Sequence, residues 1–170
     1  FTSSNYNANQ TVTVTGVNDS LVDGNQSYNI VLAAANSSDN GYSGLNPVDV
    51  TISNIDDETA GFSISSISGS TTEAGGTATF TVKLSSQPTA NVTTGVSSTD
   101  TTEGTISPSS LTFTSSNWNA NQTITVTGVN DSLDDGNQSY TVVLAAASSS
   151  DSGYSGLDPN DVSVTNTDDE

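Results

Sequence analysis

Carboxylates are almost the whole chemical endowment of this chain: nineteen aspartates and glutamates stand against one basic residue, Lys83, with no histidine, cysteine or methionine. They are grouped. NDSLVDG at 18–24 and DDE at 56–58 recur as NDSLDDG at 130–136 and DDE at 168–170. Three like charges in a row beside another acidic loop repel strongly unless a cation lies between them, so oxygen-donor cation binding is the chemistry this pattern offers. Other chemistries lack their parts. No Ser-His-Asp triad forms without histidine, thiol nucleophiles and zinc sites are excluded, and no glycine-rich turn leads into a helix for phosphate. A glycosidase pair needs an apolar cleft that raises one pKa, which nothing here supplies. A net charge of -18 repels nucleic acid, anionic membranes and other polyanions. No stretch approaches the ~20 apolar residues of a membrane helix, so no membrane insertion is expected. The isolated acids Asp39, Asp49, Asp151, Asp158 and Asp161 read as turn and surface residues.

The elements that must position the grouped acids repeat. Residues 1–58 return as residues 113–170 without insertion or deletion, which sets a period of 112 residues. FTSSNYNANQTVTVTGVNDSLVDGNQSY at Phe1 becomes FTSSNWNANQTITVTGVNDSLDDGNQSY at Phe113. A unit this long closes its own core, so it is a domain and not a solenoid repeat. With a boundary after the DDE tripeptide, 59–170 is a complete domain and 1–58 the C-terminal half of another. Within each copy the apolar period is two. Ile124 and Val126 alternate with Thr123, Thr125 and Thr127, Val12 and Val14 do the same, and Ala78, Phe80, Val82 and Leu84 alternate with Thr79, Thr81 and Lys83. Further strands are read at Tyr140 to Ala146, Phe62 to Ile67, Asn91 to Val96, Leu111 to Phe113 and Val162 to Asn166. Seven strands separated by Gly, Pro, Asn, Asp and Ser clusters predict an all-β chain of tandem antiparallel, immunoglobulin-like β-sandwiches.

TTEAGGTATFTVKL at 71–84, LTF at 111–113, TITVTGVNDSLDDGNQSYTVVL at 123–144 and VSVTNTDDE at 162–170, in that order, resemble the Calx-beta domain. The likeness spans 59–170 and the half domain ending at Glu58. That family occurs in sodium-calcium exchangers, an integrin subunit and many large bacterial surface proteins. The resemblance implies calcium bound at one end of the sandwich, where loops converge carboxylates on a hard cation that takes about six to eight oxygens. Carried over by position, Glu73 matches the Glu ahead of the Gly-rich strand start, Asp131 and Asp135 the acidic loop, and Asp168, Asp169 and Glu170 the closing tripeptide. Asp19, Asp23, Asp56, Asp57 and Glu58 are the equivalents in the half domain. The chain departs from the family at Asn130 and Gln138, where further carboxylates are usual, and in ISPSSLTF at 106–113, which lacks an Asp. Asp100 and Glu103 are candidates to replace that ligand. Asp134 is opposed by Val22 in the first copy, so a site common to both copies cannot depend on it.

These readings imply a noncatalytic structural repeat of an extracellular or cell-surface protein, an adhesin stalk or filament, with Ca2+ stiffening the domain ends. Its expected partners are neighbouring repeats of the same chain or identical chains head to tail, with a cell-surface or glycan ligand as a further possibility. The alternative is a carbohydrate- or receptor-binding module, which would need an exposed aromatic cluster; a regulatory calcium sensor is the third reading. Trp118 and Tyr6, and Tyr140 and Tyr28, occupy matching positions and read as core or corner aromatics. Lys83 reads as a charge that discourages pairing at a sheet edge. In 1–58 the face bearing Val12, Val14, Tyr28, Ile30 or Val31, and Leu32 is expected to need a cover.

Overall fold

Strands with apolar residues at alternate positions must bury one face, and where this chain supplies both layers they do so. The computed structural model describes residues 1–170 and divides into two compact units, Phe1–Asp19 with Asp23–Asp56, and Ser20–Val22 with Asp57–Glu170. The first holds β1 (Gln26–Ile30) and β2 (Val50–Asn54). The second holds β3 (Phe62–Ile64), β4 (Thr71–Thr72), β5 (Thr77–Leu84), β6 (Val92–Ser98), β7 (Gly104–Ser107), β8 (Ser110–Phe113), β9 (Gln122–Gly128), β10 (Gln138–Leu144) and β11 (Val162–Thr167). No helix is long and apolar enough to cross a membrane.

In the second unit the strands form two sheets, β4-β11-β10-β6-β8 and β3-β5-β9-β7, the two layers of an immunoglobulin-like β-sandwich. Between them lie Phe80, Val82, Leu84, Ile124 and Val126 from one sheet and Val92, Leu111, Phe113, Tyr140, Val142, Leu144 and Val164 from the other. Each such side chain contributes about 1.5–3 kcal/mol by leaving water. Phe62 meets the edges of Phe113 and Tyr154 at ring-centre distances of 6.4 and 6.3 Å. Tyr154 ties the corner: its hydroxyl donates to the Ser86 carbonyl at 2.7 Å and accepts the Ser86 amide at 3.1 Å. Trp118 packs half-buried against the same core. On the outer face of β5 and β9, Thr77, Thr79 and Thr81 sit opposite Thr127, Thr125 and Thr123.

All seven strands read from the sequence are present, and two more join them. β4 is too short to show a period, and β7 is a four-residue segment that ends at Ser107, just before Pro108. Lys83 is not at a sheet edge: β3 pairs outside β5, with Ser63 opposite Lys83.

In the first unit β1 and β2 pair antiparallel with Tyr28 opposite Ile52, the same register in which β10 and β11 put Tyr140 opposite Val164. The strand expected over Val12 and Val14 does not form. Its counterpart β9 is built by pairing with β5 and β7, and both come from the half of the repeat that lies outside 113–170. A strand without a neighbour has no ladder to hold it.

Candidate metal centre

The acids are gathered by backbone pairing. Parallel pairing of β4 with β11 sets Thr71 beside Asn166 and Thr72 beside Thr167, and the Glu73 amide donates to the Thr167 carbonyl at 3.0 Å. Glu73 therefore emerges next to the closing tripeptide. Carboxylate oxygens of Glu73, Asp168 and Glu170 all lie within 4.8 Å of one another. A second group forms beside it from Glu103, which leads into β7, and Asp131 and Asp135 of the β9–β10 loop, with oxygens again within 4.8 Å. Asp169 and Asp134 are exposed and belong to neither group.

Asp168 is locked in place. Its Oδ2 accepts the Gly136 amide at 2.7 Å, its Oδ1 accepts the Glu170 amide at 3.2 Å, and its own amide donates to Asn137 Oδ1 at 3.2 Å. Gly136 has φ 73°, a left-handed conformation glycine adopts without cost, and this aims its N–H at the carboxylate. The first copy repeats the lock: Gly24, at φ 75°, donates to Asp56 Oδ2 at 2.6 Å, and the Asp56 amide donates to Asn25 Oδ1 at 3.0 Å. Asp19, Asp23, Asp56, Asp57 and Glu58 form no such group of three. Residues 1–58 correspond to 113–170, so counterparts of Glu73 and Glu103 are not among them.

Glu73 is the electrostatic centre. It is 3% exposed, and its Oε2 has no hydrogen-bond partner. Burial, a hydrogen bond shared with Glu170 and the charges of Asp168, Glu170 and Asp131 push its pKa up to about 7. A buried carboxylate oxygen without a donor, facing further carboxylates, is costly unless a proton or a cation neutralises it. The donor set is entirely oxygen, which suits a hard cation such as Ca2+. The residues present thus fit the ion the resemblance implies.

Glu103 enters the group while Asp100 does not. The Thr102 hydroxyl and amide donate to Asp100 Oδ1 and hold its pKa below the usual carboxylate range. Sequence reasoning offered both residues for one missing ligand; the deciding fact is β7, whose entry carries Glu103 to the acidic loop. Four of the isolated acids serve the backbone, among them Asp39, whose Oδ1 accepts the Gly41 amide at 2.8 Å. Asp161 Oδ1 accepts the Leu144 amide at 2.9 Å, and Asp49 does the same for Leu32 at 2.9 Å. Asp151 accepts amides from Thr89 and Gly153, each at 2.8 Å, and these outweigh burial to lower its pKa.

No curated protein matches this chain. Among solved structures it is similar to SSP-19, an MSP-domain protein like family member of Caenorhabditis elegans, at 11% identity and a TM-score of 0.38, over 62% of this chain and 100% of that one. It is also similar to domains 1–6 of the surface layer protein SbsC, at 18% identity and a TM-score of 0.39, over 85% of this chain but 19% of that one. The family model of the Calx-beta domain matches twice, over residues 4–59 and 56–170. Covered from residue 4 to residue 170 by these two matches, the chain belongs to the Calx-beta domain family, a noncatalytic β-sandwich module present here as tandem repeats.

Proposed function

We propose that this chain is a calcium-stiffened structural repeat of an extracellular adhesin stalk or surface filament, with 59–170 a complete domain and 1–58 the C-terminal half of its predecessor. The carrying observation is the buried, unpartnered Oε2 of Glu73 facing the carboxylates of Asp168 and Glu170. In this reading Glu73, Asp168 and Glu170 hold one ion, and Glu103, Asp131 and Asp135 hold another, with Asp169 at the rim. The ions supply positive charge that lets these acids lie together while ionised. Each closing tripeptide marks the end of a repeat, so an ion fixed there restrains the chain where it leaves one domain for the next. Asp56, Asp57 and Glu58, with Asp19 and Asp23, serve the preceding repeat in the same way once its own first half is in place.

Neighbouring repeats are the partners this reading requires. The aromatic residues exposed in the first unit favour it over sugar binding. Phe1, Tyr6, Tyr28 and Tyr42 are the counterparts of Phe113, Trp118, Tyr140 and Tyr154, all of which belong to or pack against the core of the second unit. Tyr42 is 61% exposed where Tyr154 is 1%. Their exposure follows from an absent covering layer and does not mark a stacking platform.

Thermal melts in calcium and in chelator, at equal ionic strength, test the proposal. Calcium should raise the melting temperature of the sandwich formed by 59–170. An identical transition in both conditions would remove the ion from the reading.

A further inference from the structure

Between the two acidic groups lies one fully buried side chain that the proposed function leaves unassigned. Asn166 of β11 is 0% exposed and makes contacts in three directions. Its Nδ2 donates to Glu103 Oε2 at 3.3 Å and to the Val129 carbonyl at 3.1 Å. Its Oδ1 accepts from Thr71 Oγ1 at 3.0 Å, and that hydroxyl lies 3.1 Å from the Tyr140 hydroxyl. The amide orientation is dictated by chemistry: a carbonyl and an ionised carboxylate can only accept, so the NH2 must face Val129 and Glu103. Thr71 has one proton to give. Donating it to Asn166 leaves Tyr140 to donate to Thr71, and the chain Tyr140–Thr71–Asn166–Glu103 is satisfied in one direction.

The main chain of Asn166 serves the other group. Its pairing with Thr71 sets the register that brings Glu73, two residues beyond Thr71, beside Asp168, two residues beyond Asn166. The space is closed around it: a Cβ on Gly128 would lie 2.5 Å from Asn166 Oδ1 and would run into the Thr72 carbonyl. The first copy provides an internal control. Asn54 Nδ2 donates to the Val17 carbonyl at 2.8 Å, reproducing the Val129 contact within residues 1–58, which hold no counterpart of Glu103. Holding the loop carbonyl is thus the common duty of this asparagine, and holding Glu103 is the additional one in the complete domain.

Building on the calcium reading above, we infer that Asn166 is a positioning residue whose side chain fixes Glu103 in the second acidic group without taking part in the first. Removing the outer-shell partner of a ligand weakens metal affinity by about 10–100-fold. Because the Asn166 side chain reaches only Glu103 among the grouped acids, this loss falls on one ion of two.

The test is calcium titration of the full chain by calorimetry, followed independently by terbium luminescence. The unaltered chain should show two binding events. Asn166→Ala should weaken the second by about tenfold or more and leave the first within about twofold. Combined with Glu103→Ala, it should add less than its own single loss, because the contact with Glu103 is already gone. Thr71→Val, which keeps side-chain shape and frees the Asn166 carbonyl, should move the second event in the same direction and replaces Asn166→Ala should that variant fail to melt cooperatively. Equal weakening of both events, or full additivity with Glu103→Ala, would overturn this selective role and leave Asn166 a structural residue. Two events unchanged by Asn166→Ala would defeat this inference alone, and no uptake by the unaltered chain would defeat it together with the calcium reading.

Discussion

Residues 1–58 and 113–170 carry nearly the same sequence and differ in what lies against them. Val12 is 70% exposed and its counterpart Ile124 is 0%. β1 and β2 form with the register of β10 and β11 because that hairpin contains both of its strands. The Val12–Val14 segment stays irregular because its two neighbours would come from the other half of the repeat. The locks at Asp56 and Asp168 form in both copies because their donors, Gly24 and Gly136, lie within the copied segment. Local pairing and turn chemistry are therefore written into the 58-residue segment, whereas core burial and the two carboxylate groups appear only where residues 59–112 pack against its second copy.

The largest expected effect comes from completing the first copy. Fusing residues 59–112 ahead of Phe1 should give a second cooperative unfolding unit, on the order of 5 kcal/mol or more, with Tyr6 and Tyr28 shielded from a neutral fluorescence quencher. A product with one transition and quenchable tyrosines would show that 1–58 does not accept that layer. Next in size is the matched pair Ile124→Ala and Val12→Ala. The first should cost about 2–5 kcal/mol by emptying a packed core, and the second less than about 0.5 kcal/mol at an exposed position. Comparable shifts in urea midpoint would contradict the burial contrast.

Calcium at a hundredfold excess over Kd should stabilise the complete domain by about 2.7 kcal/mol per independent site. Asp168→Ala should abolish the contribution of the first group and Asp135→Ala that of the second. Asp134→Val, which copies Val22, should leave nearly all of the gain, and melts of the three variants in calcium and chelator make the comparison.

A pH effect separates the copies further. Glu73 has its pKa raised from 4.5 to about 7 by burial, Glu170 and the neighbouring charges. The folded state then binds more protons than the unfolded state between these values. Stability of the calcium-free second unit should therefore be greatest below about 4.5 with respect to this group and decline as pH rises through 7. Glu73→Gln should flatten the decline over that window. A slope unaltered by the substitution would assign the titration elsewhere.

The sandwich was legible in the sequence because an apolar period of two survives in β5, β9, β10 and β11, each with one face against the core. The repeat was legible because it contains no gaps. β4 and β7 were hidden: two residues carry no period, and GTIS alternates too briefly to stand apart from the surrounding polar sequence. Those two strands make the difference at the acidic pole, since β4 delivers Glu73 and β7 delivers Glu103. Residue types therefore nominated the acids, but the division into two groups depends on strand pairing that composition does not reveal. Asn166 gave no signal at all, one asparagine among many, until its burial and its three contacts set it apart.

The paired threonines across β5 and β9 have a consequence for the reach of the protein's electric field. Apart from Lys83, that sheet face presents hydroxyls and no carboxylate, so the grouped negative charge lies at the acidic pole and not on this flank. At physiological ionic strength the potential of that charge decays over roughly 8 Å, about two strand spacings. The acidic end is thus invisible to molecules approaching the flank. Salt and divalent ions should act on the acidic pole and leave the threonine flank almost untouched, a division of labour set by threonine where most surfaces place lysine and glutamate.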